Sequence, residues 1–68
     1  MSLKSIRKQR KLTQTDIAHL TGVTLRTYQR WENGESSLDN VPYATVSKLA
    51  SALKLTTDDV IAASKENH

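Results

Sequence analysis

The chain has 68 residues, 37% of them hydrophobic and none cysteine, enough for one small domain whose core has no disulfide or thiolate-bound metal to reinforce it. The formal net charge is +3, and the apolar runs are far too short to span a membrane. Met1 to Leu12 scatters Lys and Arg without a following apolar stretch, which excludes a signal-peptide pattern and leaves a cytoplasmic protein as the expectation.

Ser2 can cap a first helix running to about Lys11, in which Leu3 and Ile6 form a narrow apolar stripe. Thr13 and Asp16 stand at the capping-box distance and open a second helix, with Ile17, Ala18 and Leu20 as its apolar face and Gly22 as its stop. Thr24 can cap a third helix that ends at Asn33-Gly34. Tyr28 and Trp31, three apart, turn to its inner side, leaving Arg26, Thr27 and Arg30 outside and Leu25 near the start. The segment GESSLDN reads as a loop anchored by Leu38. Pro42 belongs to the opening turn of a fourth helix, where its missing N–H costs little. Val46, Leu49, Ala50 and Leu53 then recur at i, i+3, i+4 and i+7 as a buried face. Thr56 and Asp59 open a fifth helix containing Val60, Ile61 and Ala62, and residues 64–68 are expected to fray.

The pattern predicts an all-α fold of five helices: one domain over residues 1–68 with its core in 3–62. Its expected core residues are Ile6, Ile17, Ala18, Val23, Tyr28, Trp31, Val46, Leu49, Leu53 and Ile61. No alternating run suggests a strand.

Charge is unevenly distributed along the chain. Residues 1–34 hold seven basic groups against two acidic ones, and residues 35–68 hold three against five. A basic half points to a polyanionic partner, with DNA ahead of membrane because no strongly amphipathic basic helix with large apolar residues is present. Ordinary solvated charge is the plainer alternative.

The basic half also contains two short helices joined through Gly22-Val23-Thr24, the spacing of a helix-turn-helix. Gly22 permits the close turn, Val23 can plug between the helices, and Ala18 is small enough for a close crossing. Periodicity alone leaves a generic helical bundle almost equally open.

Ile6-Arg7, then LTQTDIAHLTGVTLRTYQRWENG, then LASALKLTTDDVI resemble the helix-turn-helix family of lambda-type and 434-type repressors and Cro proteins, also called the XRE family, which includes many antitoxins. The resemblance covers residues 3 to 62 and implies a lambda-repressor-like domain, bacterial or phage-encoded. Its third helix would read double-stranded DNA, with the protein acting as a two-fold dimer on an operator palindrome. Carried over by position, Leu25, Arg26 and Arg30 are implied to reach base edges. Gln14, Thr24, Thr27 and Asn33 are implied to make phosphate or flanking contacts, with the backbone amides of Asn33-Gly34 near a phosphate. Arg7 and Glu32 are implied to form an internal ion pair.

Three positions depart from the family pattern. Leu25 replaces a polar reader and can touch only a thymine methyl. Thr21 stands where an apolar residue is usual and needs a hydroxyl bond within its helix. The loop from Glu35 to Val41 has no Lys or Arg for a phosphate.

Lys4, Lys8 and Lys11 are expected on the solvent side of the first helix, where any DNA contact would be sequence-independent. Dimerisation is expected through the fifth helix and the loop before it, using Tyr43, Val60 and Ile61. A toxin or another protein is an alternative partner. His19 lacks a meaningfully spaced partner for catalysis, and His19 with His68 makes a poor zinc set, so no enzyme, metal or cofactor is expected.

Overall fold

The computed structural model describes residues 2–65, and its helices follow from local chemistry at their ends. They are α1 (Leu3–Gln9), α2 (Gln14–Thr21), α3 (Leu25–Glu32), α4 (Tyr43–Leu53) and α5 (Thr57–Lys65). No strand occurs among the described residues.

The N-termini are closed by hydroxyl side chains that accept backbone N–H groups three residues on, replacing bonds the first turn cannot make internally. Ser2 accepts from Ser5 at 3.2 Å, Thr24 from Thr27 at 3.1 Å and Thr56 from Asp59 at 3.1 Å. Thr13 goes further: its Oγ1 accepts from Asp16 N–H at 3.0 Å, and its own N–H donates to Asp16 Oδ2 at 2.9 Å, completing a capping box. Pro42 precedes α4 with no side-chain cap, its ring holding φ at −55°.

Two C-terminal stops were less visible in the sequence. Helix α1 ends at Gln9 instead of near Lys11, because Lys11 itself turns left-handed with φ 59°. Leu12 N–H then reaches Arg7 C=O at 3.2 Å and Lys11 N–H reaches Lys8 C=O at 3.0 Å, the paired bonds of a Schellman stop. Lys54 repeats this after α4, with φ 58° and Leu55 N–H donating to Ala50 C=O at 2.8 Å.

Helix α2 packs against both α3 and α4, while α5 packs against α4 and α1. Between them Leu3, Ile17, Tyr28, Leu49, Leu53 and Val60 are fully buried, joined by Ile6, Ala18, Trp31, Leu38, Val46, Ala50 and Ala63. Tyr28 and Trp31 meet edge to face, with ring centroids 6.3 Å apart. Arg10 crosses from the end of α1 to donate its Nε to Leu53 C=O at 3.0 Å, satisfying a carbonyl at the end of α4.

The inward face of α5 differs from expectation. Val60 and Ala63 are buried, Ile61 is only half-buried and Ala62 is exposed. Neighbouring helical positions differ by about 100° around the axis, and the docking of α5 on α4 and α1 turns Val60 inward and leaves Ile61 at the edge. Val60 is therefore unavailable to a dimer contact. Val23, expected in the core, is half-buried and packs on its edge, and Leu20 lies on the outer side of α2, 52% exposed. Helix α5 continues through Ser64 and Lys65, where fraying was expected, with the Ser64 hydroxyl donating to Ile61 C=O at 2.7 Å. The remainder of that tail, including His68, lies outside the described residues.

Candidate nucleic-acid interface

The link between α2 and α3 depends on one backbone conformation. Gly22 ends α2 with φ 78°, and its N–H donates to Ala18 C=O at 2.9 Å. A Cβ built there meets nothing within 4 Å, so glycine is favoured there by the left-handed dihedral, which would strain another residue, and not by space. Thr21 buries its hydroxyl beside this turn by donating to Ile17 C=O at 2.8 Å, which satisfies a polar group in an apolar setting.

The inner side of α3 is held by a polar network as well as by aromatic packing. Arg7 Nε donates to Glu32 Oε2 at 2.9 Å and Arg7 Nη2 donates to Glu32 Oε1 at 3.1 Å, a two-pronged pair with both residues buried. The third prong, Nη1, donates to Leu12 C=O at 2.9 Å and ties the α1–α2 connection to the end of α3. Gln14 Nε2 donates to Glu32 Oε1 at 3.1 Å, and Gln29 Nε2 donates to Gln14 Oε1 at 3.2 Å.

These contacts shift the ionisable groups in consistent directions. Burial pushes the Glu32 carboxyl up, but hydrogen bonds from Arg7 and Gln14 and the adjacent Tyr28 hydroxyl outweigh it and hold the group below the usual range. The hydrogen bond to Glu32 raises Arg7 further above its already high value. Burial, followed by the neighbouring carboxylate, pushes the Tyr28 hydroxyl well up. That hydroxyl is buried against the ion pair without reaching a partner in good hydrogen-bond geometry.

The outer side of α3 is open. Leu25 is 40% exposed, and Arg26, Arg30 and Asn33 are exposed. Among the described residues neither guanidinium has an ion-pair or hydrogen-bond partner. Arg26, Arg30 and Asn33 line one polar hollow of about 280 Å³ with Gln29 and Glu35, whereas Leu25 lies outside it. Thr24 and Thr27 sit at the leading edge, with the Thr24 hydroxyl donating to Thr27 Oγ1 at 2.9 Å.

The two expected phosphate sites differ in their free donors. At the start of α2, Thr13 and Asp16 N–H are used in the capping box, while Gln14 and Thr15 N–H have no acceptor among the described residues. A backbone hydrogen bond from Thr13 lowers the Asp16 pKa, keeping a negative charge at the same helix end. After α3, the amides expected to approach phosphate are engaged internally. Asn33 N–H donates to Gln29 C=O, Gly34 N–H to Trp31 C=O, and Glu35 and Ser36 N–H to Arg30 C=O. A phosphate there would meet the Asn33 side chain instead.

Gln29 was not singled out in the sequence, because its bond to Gln14 depends on how α2 and α3 cross. The only local signal was its place between Arg26 and Arg30 on a strongly polar helix face.

Two capped helices crossing at a left-handed glycine, the second presenting free guanidinium groups on its outer side, define a helix-turn-helix DNA-binding protein. Residues 3–60 match the helix-turn-helix family model of the Cro/C1 type, and the chain belongs to that family of DNA-binding regulators. No curated protein and no solved structure matches the chain. Among the described residues no helix is long and apolar enough to cross a membrane.

Proposed function

We propose that the protein is a sequence-specific transcriptional repressor that binds a palindromic operator as a homodimer, with α3 in the major groove of each half-site. The observation that carries this reading is the division of α3 into a face locked by Tyr28, Trp31 and Glu32 and a face offering unpaired Arg26 and Arg30. Each guanidinium can donate two hydrogen bonds to guanine O6 and N7, and their i, i+4 spacing suits neighbouring base pairs. Leu25 supplies an apolar contact for a thymine methyl. Gln14, Thr24, Thr27 and Asn33 fix the protein on the phosphate backbone, which sets register without reading sequence. A cytoplasmic location follows from DNA as the partner.

The dimer contact falls on the side where Tyr43 stands 74% exposed beside a hollow of about 330 Å³ in which Leu38, Val41, Val46 and Ile61 meet Asp39, Thr57 and Asp58. Two-fold pairing through Tyr43 and Ile61 would cover this surface and match the symmetry of an operator. Sedimentation of the protein, free and on operator DNA, tests it: dimers on the operator support the pairing, and monomers in both states exclude it.

The reading as a whole is tested by incubating the protein with a pool of random duplexes and sequencing those retained at moderate salt. An inverted repeat with guanine in each half-site is the expected result. Retention of all sequences alike, or of none, would remove the repressor assignment.

A further inference from the structure

The amide chain behind α3 has a forced direction. A carboxylate only accepts hydrogen bonds, so Glu32 Oε1 compels Gln14 to present its NH₂ group, at 3.1 Å. Gln14 must then turn its Oε1 to Gln29, and an oxygen there compels Gln29 to present its own NH₂ group, at 3.2 Å. The buried Arg7–Glu32 pair thus sets the orientation of an amide that it does not touch. Gln29 Oε1 is left without a donor among the described residues, and one Nε2 hydrogen also remains free. Gln29 is half-buried and lines the same hollow as Arg26 and Arg30.

The Gln29 oxygen adds a fixed acceptor to a hollow that Arg26 and Arg30 line with donors and Asn33 and Glu35 with further acceptors. In the major groove the matching donors are the exocyclic amino groups, N6 of adenine and N4 of cytosine, since guanine O6 and N7 and thymine O4 all accept. We infer that Gln29 is a specificity-determining residue, held by Gln14 so that its carbonyl oxygen selects a base bearing an amino group beside the base pairs read by Arg26 and Arg30. This rests on α3 entering the major groove.

The chain also confers rigidity. A free glutamine side chain samples several rotamers and both amide orientations, and would read donor and acceptor bases nearly alike. Fixing one orientation sets where the oxygen and the remaining Nε2 hydrogen stand and lowers the ordering cost on binding.

The test combines Gln29→Met, which keeps the length of the side chain and removes its polar atoms, with base analogues that lack only the amino group. Operators selected by the unaltered protein and by Gln29→Met are compared to find the position whose preference the substitution flattens. At that position purine replaces adenine, or 2-pyrimidinone replaces cytosine. The unaltered protein should lose about 5- to 150-fold in affinity on losing the amino group, and Gln29→Met should lose little more from the same change. This non-additive pattern marks a direct pair, and the base found there distinguishes adenine from cytosine.

Equal losses with and without Gln29 on removing the amino group from the flattened base pair would overturn the assignment. So would an unchanged preference in Gln29→Met. The analogue measurement on the unaltered protein stands even if the variant folds poorly: at a purine or cytosine analogue beside the guanines, an undiminished affinity contradicts the inference. If the unaltered protein selects no sequence, the failure lies with the DNA reading itself.

Discussion

The two faces of α3 obey opposite rules. On the inner face Trp31 is packed and Glu32 is fully engaged by Arg7 and Gln14; on the outer face Arg26 and Arg30 have no partner among the described residues. A helix of eight residues, Leu25–Glu32, is thus held firmly on one side and left open on the other. So short a helix is marginal alone, so its shape must come from what lies behind it. Leaving the outer donors unsatisfied within the chain keeps them available for another molecule.

The strongest way to break this contrast is to remove the inner anchor. Glu32→Ala leaves the Arg7 guanidinium buried without its carboxylate and should cost about 3–5 kcal/mol in urea unfolding, enough to threaten a domain of this size. Arg30→Ala should do the reverse. It is expected to lose about 1–3 kcal/mol of operator affinity while unfolding stability stays within about 0.5 kcal/mol, because the side chain is exposed. Equal losses on operator and random duplexes would reassign Arg30 to phosphate.

Thr24→Ala removes the cap of α3, which should cost about 1 kcal/mol in thermal or urea unfolding. Lys54→Gly should move stability the other way, by about 0.5–1 kcal/mol, because glycine adopts φ 58° without strain. Operator binding should be unaffected, since Lys54 lies at the end of α4.

The smallest effect is expected from pH. Glu32 is held below its ordinary value of 4.5 in the folded chain, so the folded state favours its ionised form. That contribution is complete above the unfolded value and disappears as the pH falls through the lower folded one. Asp16 acts in the same direction through its bond from Thr13 N–H. Stability should therefore fall on acidification below about pH 4.5, and Glu32→Gln should make that fall shallower. An unchanged acid slope in the variant would detach Glu32 from it.

Much of the fold was legible because caps are local. Ser2, Thr13, Thr24 and Thr56 mark helix starts through bonds spanning three residues, and such bonds depend little on the rest of the chain. The stops at Lys11 and Lys54 were hidden, because lysine gives no sign of a left-handed dihedral as glycine does at Gly22. The choice of Val60 over Ile61 was hidden as well, since both fit an apolar stripe until α5 docks on α4 and α1. On the site, Arg26 and Arg30 stood out by charge and spacing, whereas Gln29 is bonded to a partner fifteen positions away, a contact that only the crossing of α2 and α3 creates.

The most direct test of the account is a titration of the isotopically labelled protein with its selected operator half-site, followed through backbone amide signals. The account predicts that the largest shifts fall at Gln14 and Thr15 and along α3 from Leu25 to Arg30, with Lys54 and its neighbours unmoved. Shifts confined to the surface around Tyr43 and Ile61, with α3 silent, would contradict it.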